Sequence, residues 1–213
     1  MKNIFFDMDG TLTDSSQGIQ NAVLFALEKM NIRETDPESL RQFIGPPLHH
    51  TFKTRYALAD EAVNSAVAFY REYYQDKGLY ENNLYDGIKP LLEQLAAARH
   101  RLFVVTSKQQ AFARTIAGHF KLDVFFEDII GSNPDHTMAD KTALIRHTLT
   151  LYELDPAATV MVGDRKYDLI GARNNGVTAA GVLYGYGTEM ELREHKADHL
   201  LATVDALGRF LLN

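Results

Sequence analysis

The chain has 213 residues, 46% hydrophobic and 23% charged, a balance that argues against intrinsic disorder and fits one large domain or two small ones. A formal charge of −6 offers no basic face for nucleic acid, and the absence of cysteine excludes disulfides, thiolate metal sites and a cysteine nucleophile. Any metal must then be held by carboxylate, carbonyl or imidazole groups, which favours hard cations or a histidine site.

The first eleven residues read MKNIFFDMDGT, with an apolar run too short for a signal-peptide core and acidic residues directly behind it. Elsewhere no apolar run approaches the roughly 20 residues a membrane helix needs. The expectation is a soluble, cytoplasmic chain with no membrane and no nucleic-acid partner. After a first strand at 3–6, the stretch 15–82 reads as helix upon helix. Asp14 and Ser15 offer cap oxygens, and Ile19, Val23, Ala26, Leu27 and Met30 recur at helical spacing. Asp36-Pro37 opens a second helix, Gly45-Pro46-Pro47 breaks it, and a third, near 60–75, carries Val63, Ala66, Val67, Tyr70, Tyr73 and Tyr74 before Gly78.

From there strand and helix alternate. Strands are predicted at 102–105, 128–130, 160–162 and 179–183, and helices at 91–98, 111–119, 141–152 and 167–175. Thr188 with Glu191 forms a capping box for one more short helix. Nearly continuous apolar strands alternating with helices predict a parallel sheet covered on both faces. The expected architecture is α/β: a Rossmann-like core from residues 1–14 and 83–213, with an α-helical cap subdomain, 15–82, inserted after the first strand. Ligands in such sheets bind beyond the carboxyl ends of the strands, where an insertion could act as a lid.

Asp7 and Asp9 follow the first strand at i and i+2, so both point to one side of the extended chain. Gly10 permits a tight turn, and Thr11 can hydrogen-bond back to the acidic loop. Asp164 and Asp168 flank the start of the helix after strand 160–162. Each pair taken alone is also what turn and helix-capping chemistry would place there. Taken together, four carboxylates reach one sheet edge, and like charges roughly 4 Å apart repel by about 4 kcal/mol at an effective dielectric near 20. A cation relieves that, and all-oxygen ligation fits Mg²⁺. Strand 102–105 runs into Thr106-Ser107-Lys108, whose hydroxyls either cap the next helix or face an anion. Lys141 opens a helix at the end where a cation is disfavoured, a placement that a bound anion would explain.

DMDGT after the first strand, a strand ending VVTSK, a lysine opening a later helix, and VMVGDRKYDLIGARNNG resemble, in that order, the four motifs of the haloacid dehalogenase-like superfamily. FIGPPL and the last of those runs resemble its phosphoglycolate phosphatase and 5′-nucleotidase branch. The resemblance implies a Mg²⁺-dependent phosphatase for a small phosphorylated metabolite. Asp7 would be the nucleophile and Asp9 the general acid and base. The Asp7 carboxylate, the Asp9 carbonyl and Asp164 would hold Mg²⁺, with Asp168 a ligand through water or an orienting group. Thr106, Ser107 and Lys108 would meet the phosphoryl group beside Gly10 and Thr11, and Lys141 would neutralise charge between Asp7 and phosphorus. A β-phosphoglucomutase-like phosphotransferase is the alternative on the same fold, disfavoured because no sugar-phosphate clamp follows Asp14. The expected assembly is a monomer or weak homodimer.

Overall fold

The computed structural model describes residues 2–46, 48–133 and 137–213, so Pro47 of the expected helix break lies outside the described residues. The chain divides into two compact units, Met1–Asp14 with Leu84–Asn213, and Ser15–Asn83. The first unit is a six-stranded sheet in the order β5-β4-β1-β6-β7-β8 with every pairing parallel. Its strands are β1 (Asn3–Phe6), β4 (Arg101–Gln109), β5 (Asp128–Ser132), β6 (Thr159–Gly163), β7 (Thr178–Val182) and β8 (His199–Leu201). Short strands β2 (Thr13–Asp14) and β3 (Asn83–Leu84) pair where the chain leaves and rejoins this unit.

The sheet forms because its central strands are almost wholly apolar, and their two polar residues, Asn3 and Thr159, satisfy each other through a buried hydrogen bond at 3.1 Å. All four residues of β1 and all five of β6 are buried, the pattern expected of strands covered on both faces. The helices that cover it are α5 (Ile88–Ala97), α6 (Gln110–His119), α7 (Lys141–Leu151), α8 (Lys166–Asn174), α9 (Glu189–Glu194) and α10 (Val204–Leu212). Three have side-chain caps: Asp140 accepts from Ala143 N, Thr188 from Glu191 N and Thr203 from Ala206 N. One face of the sheet is filled by Phe5, Phe103, Ile130, Leu144, Ile145 and Met161 among others. Phe103 stands edge-on to Phe5 at 5.5 Å between centroids and against Tyr152 at 4.8 Å.

In strand order, β1 is the switch point: β4 and β5 extend to one side of it, β6 to β8 to the other. The crevice that this reversal opens at the carboxyl ends is where open α/β sheets bind ligands. In the main sheet and its covering helices, β8 and α10 escaped the sequence reading, and β4 runs on to Gln109 through an irregularity between Val105 and Gln109.

The second unit contains α1 (Ser16–Lys29), α2 (Pro37–Arg41), α3 (Leu48–Tyr56) and α4 (Asp60–Tyr73), the last continuing into a wider turn, Tyr74–Gly78. The helix α3 was not foreseen. Asp36 caps α2 through Glu38 N, as its Asp-Pro start suggests. The tyrosines at helical spacing pack internally: Tyr70 and Tyr74 are buried and stacked at 5.3 Å, and Tyr73 meets Phe25 at 5.4 Å. Among the described residues no helix is long and apolar enough to cross a membrane.

Because Phe103 is fully buried between two rings, Phe103→Ala is expected to destabilise the core by roughly 3–5 kcal/mol. Urea unfolding followed by circular dichroism reads this as a lower midpoint with an unchanged slope.

Candidate active site

The β1–β6 ladder carries one residue past Phe6, where Asp7 N donates to Val162 O at 2.9 Å. The chain then turns around Met8, whose carbonyl accepts from the N–H groups of Leu12 and Thr13 at 2.9 and 3.0 Å and whose side chain is fully buried. Gly10 sits at φ +80°, a conformation other residues seldom adopt, and a Cβ there would collide with the Asp164 carboxylate. The turn thus holds Asp7 and Asp9 against the end of β6.

Asp164, just past β6, is wholly buried. Its Oδ2 accepts from Tyr186 N at 2.8 Å and its Oδ1 from the Thr11 hydroxyl at 3.4 Å. Asp168 lies in the first turn of α8, and its Oδ2 accepts from Arg165 N at 3.1 Å, so it does serve as a helix-capping group. Its Oδ1 meets Lys141 Nζ at 2.6 Å, and the same ammonium lies 2.9 Å from Asp7 Oδ1 and donates to Val105 O at 2.8 Å. Two carboxylates and a strand carbonyl, rather than a bound anion, account for a lysine at that helix end.

Asp7, Asp164 and Asp168 come together, with one oxygen of each within 4.8 Å of the others. The expected convergence of four carboxylates is corrected here. Asp9 is instead gripped by Lys108, whose Nζ donates to both carboxylate oxygens at 2.9 and 2.7 Å. Thr106 is buried and its Oγ1 accepts from Lys108 N at 3.2 Å. Ser107 donates its hydroxyl to Ala139 O at 2.7 Å, tying the end of β4 to the approach to α7. Neither hydroxyl caps α6, whose N-cap is Gln109.

Burial governs the electrostatics. It pushes Asp164 up to about 8, helped by the charges of Asp168 and Asp7, and pushes Asp168 up to about 6 against the pull of Lys141. Burial also opposes the Lys141 charge, yet Asp168 and Asp7 outweigh it and hold the ammonium above its usual range. Three carboxylates and one ammonium leave excess negative charge where solvent screens it poorly. An all-oxygen set in that condition fits a hard divalent cation.

Sequence reading did not single out Tyr186, which touches Asp164 through its amide and Asp14 Oδ1 through its hydroxyl at 2.9 Å. The available signal was two alternating glycines, Gly185 and Gly187, just beyond β7 at the same sheet edge.

The raised carboxyls give a pH prediction for metal-free protein. Between the unfolded value near 4 and the folded value near 8, the native state holds the extra proton on Asp164, so stability declines as pH rises through that window. A divalent cation bound by this cluster would displace that proton, so any gain in Tm on adding Mg²⁺ is expected to grow from pH 5.5 to pH 8. Thermal unfolding with chelator and with saturating Mg²⁺ measures both slopes, and Asp164→Asn should flatten them.

A family model described as haloacid dehalogenase-like hydrolase matches residues 4–182. The chain is 47% identical to a 5′-nucleotidase of Pseudomonas aeruginosa, over 98% of this chain and 95% of that protein. It is 37% identical to tyrosine-protein kinase PtkA of Mycobacterium tuberculosis, over 86% of this chain but only 62% of that one. A crystal structure of a predicted phosphatase from Clostridium acetobutylicum superposes with a TM-score of 0.94 at 39% identity, covering 100% of this chain and 99% of that one. The motif order, the acidic edge of the sheet and these similarities agree: the chain belongs to the haloacid dehalogenase-like hydrolases and is a phosphatase of that family.

Proposed function

We propose that the protein is a Mg²⁺-dependent phosphomonoesterase that hydrolyses a small phosphorylated metabolite, such as a nucleoside monophosphate or phosphoglycolate, through an aspartyl-phosphate on Asp7. The observation that carries this reading is the state of the Asp7 carboxylate. Its Oδ1 is held by Met8 N at 2.7 Å and by Lys141, while no described residue donates a hydrogen bond to Oδ2. One oxygen is anchored and the other keeps its lone pairs for attack. The 47% identity to a protein named 5′-nucleotidase supports nucleoside monophosphates as the first substrates to test.

Asp7 Oδ2 attacks phosphorus as the bond to the leaving oxygen breaks, and Asp9 gives that oxygen a proton. Asp9 then takes a proton from water, the water oxygen bonds to phosphorus, and the Asp7–phosphorus bond breaks. For Asp9 to work in this way, the Lys108 ammonium must release at least one of the two oxygens it holds. The incoming phosphoryl oxygens are the natural alternative partner for that cation. Thr106 accepts from Lys108 N, which leaves its hydroxyl hydrogen to donate to the same group. Lys141 keeps positive charge beside the attacking carboxylate throughout. Mg²⁺, held by Asp7, Asp164 and the Asp9 carbonyl with Asp168 direct or through water, would supply the charge neutralisation that lets a dianionic phosphate approach these carboxylates.

Phosphate release from nucleoside monophosphates, phosphoglycolate and sugar phosphates, ranked by kcat/KM with and without Mg²⁺, tests the proposal. Release without any added acceptor separates hydrolysis from phosphotransfer. Asp7→Asn is expected to abolish turnover by several orders of magnitude while stability holds or rises, because one crowding charge is removed. Folded Asp7→Asn with substantial activity would overturn the nucleophile assignment. Asp9→Asn is expected to cripple hydrolysis of alkyl phosphates but to affect p-nitrophenyl phosphate less, since that leaving group needs little protonation. Equal losses would make Asp9 a structural or metal-holding residue.

A further inference from the structure

The loop after β7, Leu183-Tyr184-Gly185-Tyr186-Gly187, begins where the family-model match stops, at residue 182. We infer that this loop is part of the active site's architecture and that Tyr186 is a positioning residue for Asp164, setting the affinity of the acidic cluster for its cation. The inference rests on the proposed role of Asp164 as a metal ligand.

Three observations carry it. The Tyr186 amide makes the shorter of the two hydrogen bonds on the Asp164 carboxylate, 2.8 Å against 3.4 Å from Thr11, and so has the larger part in fixing its rotation. The two glycines are demanded by closeness: a Cβ on Gly185 would collide with the Gly10 carbonyl and the Asp164 side chain, and one on Gly187 with the Asp164 carbonyl. The tyrosines tie the loop to the turn that carries Asp7 and Asp9. Tyr186 stands against Gly10, where an added Cβ would lie 2.7 Å from its ring, and its hydroxyl binds Asp14. The Tyr184 hydroxyl donates to Thr11 O at 3.1 Å. A loop needed only to link β7 to α9 would have no reason to bond to a buried carboxylate and to the turn opposite. Groups that orient a metal ligand typically matter by roughly 10–100-fold in metal affinity.

Binding of Mn²⁺ to metal-free protein, followed by loss of the free-ion electron paramagnetic resonance signal, tests this alongside thermal unfolding in chelator. Tyr186→Ala keeps the amide but removes the ring against Gly10 and the hydroxyl on Asp14 that seat it, and Gly185→Ala pushes the loop off Asp164; both are expected to weaken Mn²⁺ binding by about 10-fold or more, with kcat restored at high metal concentration. Tyr186→Phe keeps the amide and the ring and is expected to bind close to wild type. If Gly185→Ala does not fold, Tyr186→Ala, which adds no atom, decides. Wild-type Mn²⁺ affinity in folded Tyr186→Ala, with only a lower Tm, would overturn the inference and leave the loop a structural connection. Failure of the wild-type protein to bind Mn²⁺ would instead overturn the ligand reading of Asp164, and the inference with it.

Discussion

The contact on which the site depends is the Lys141 ammonium, 3% exposed, held between Asp7 and Asp168 at 2.9 and 2.6 Å. A lone ammonium there would lose its hydration, and the carboxylates without it would repel one another with little solvent to screen them. Each makes the other tolerable. The group reaches across three strands, since Asp7 follows β1, Asp168 follows β6 on α8, and the ammonium also takes the carbonyl of Val105 in β4. Such a charge set is poor at stabilising a fold and well suited to holding reactive groups in one arrangement.

The parallel sheet makes that arrangement available. With every strand running the same way, all carboxyl ends share one edge, and β1 at the switch point puts Asp7 between the chain segments leaving β4 and β6. A second cation–carboxylate pair, Lys108 with Asp9, forms beside the first. The two lysines therefore have separate tasks: Lys141 is tied to the carboxylate that would attack, Lys108 to the one that would move protons. This division would let two aspartates two residues apart take the different roles proposed for them, because chemically identical side chains acquire different surroundings from the two ends of one turn.

The membership in a hydrolase family and the residue arrangement bear on different questions. Family membership establishes a phosphatase, and a relative that carries a kinase name marks how far the names within the family range. The arrangement supports the proposed assignment of the attacking oxygen and of the carboxylate that would handle protons.

Much of the site was legible in the sequence because its chemistry is local. Asp7, Asp9 and Gly10 are adjacent, Asp164 and Asp168 are one helical turn apart, and each cluster adjoins a strand whose apolar run is plain to read. The strand–helix alternation was legible for the same reason, since burial on both faces writes itself into consecutive residues. Strand β8 was missed because three residues with one exposed end carry little periodic signal, whereas α10 had a legible one, Thr203 as its cap and Val204, Leu207 and Leu211 at helical spacing, that the sequence reading passed over. What only the tertiary structure decided were the partners. That Lys108 would turn to Asp9, that Lys141 would bridge Asp7 and Asp168, and that Tyr186 would reach Asp164 depend on separations of 99, 134 and 27, and 22 residues along the chain. No spacing rule spans such distances; the sheet order sets them, because it determines which strand ends become neighbours.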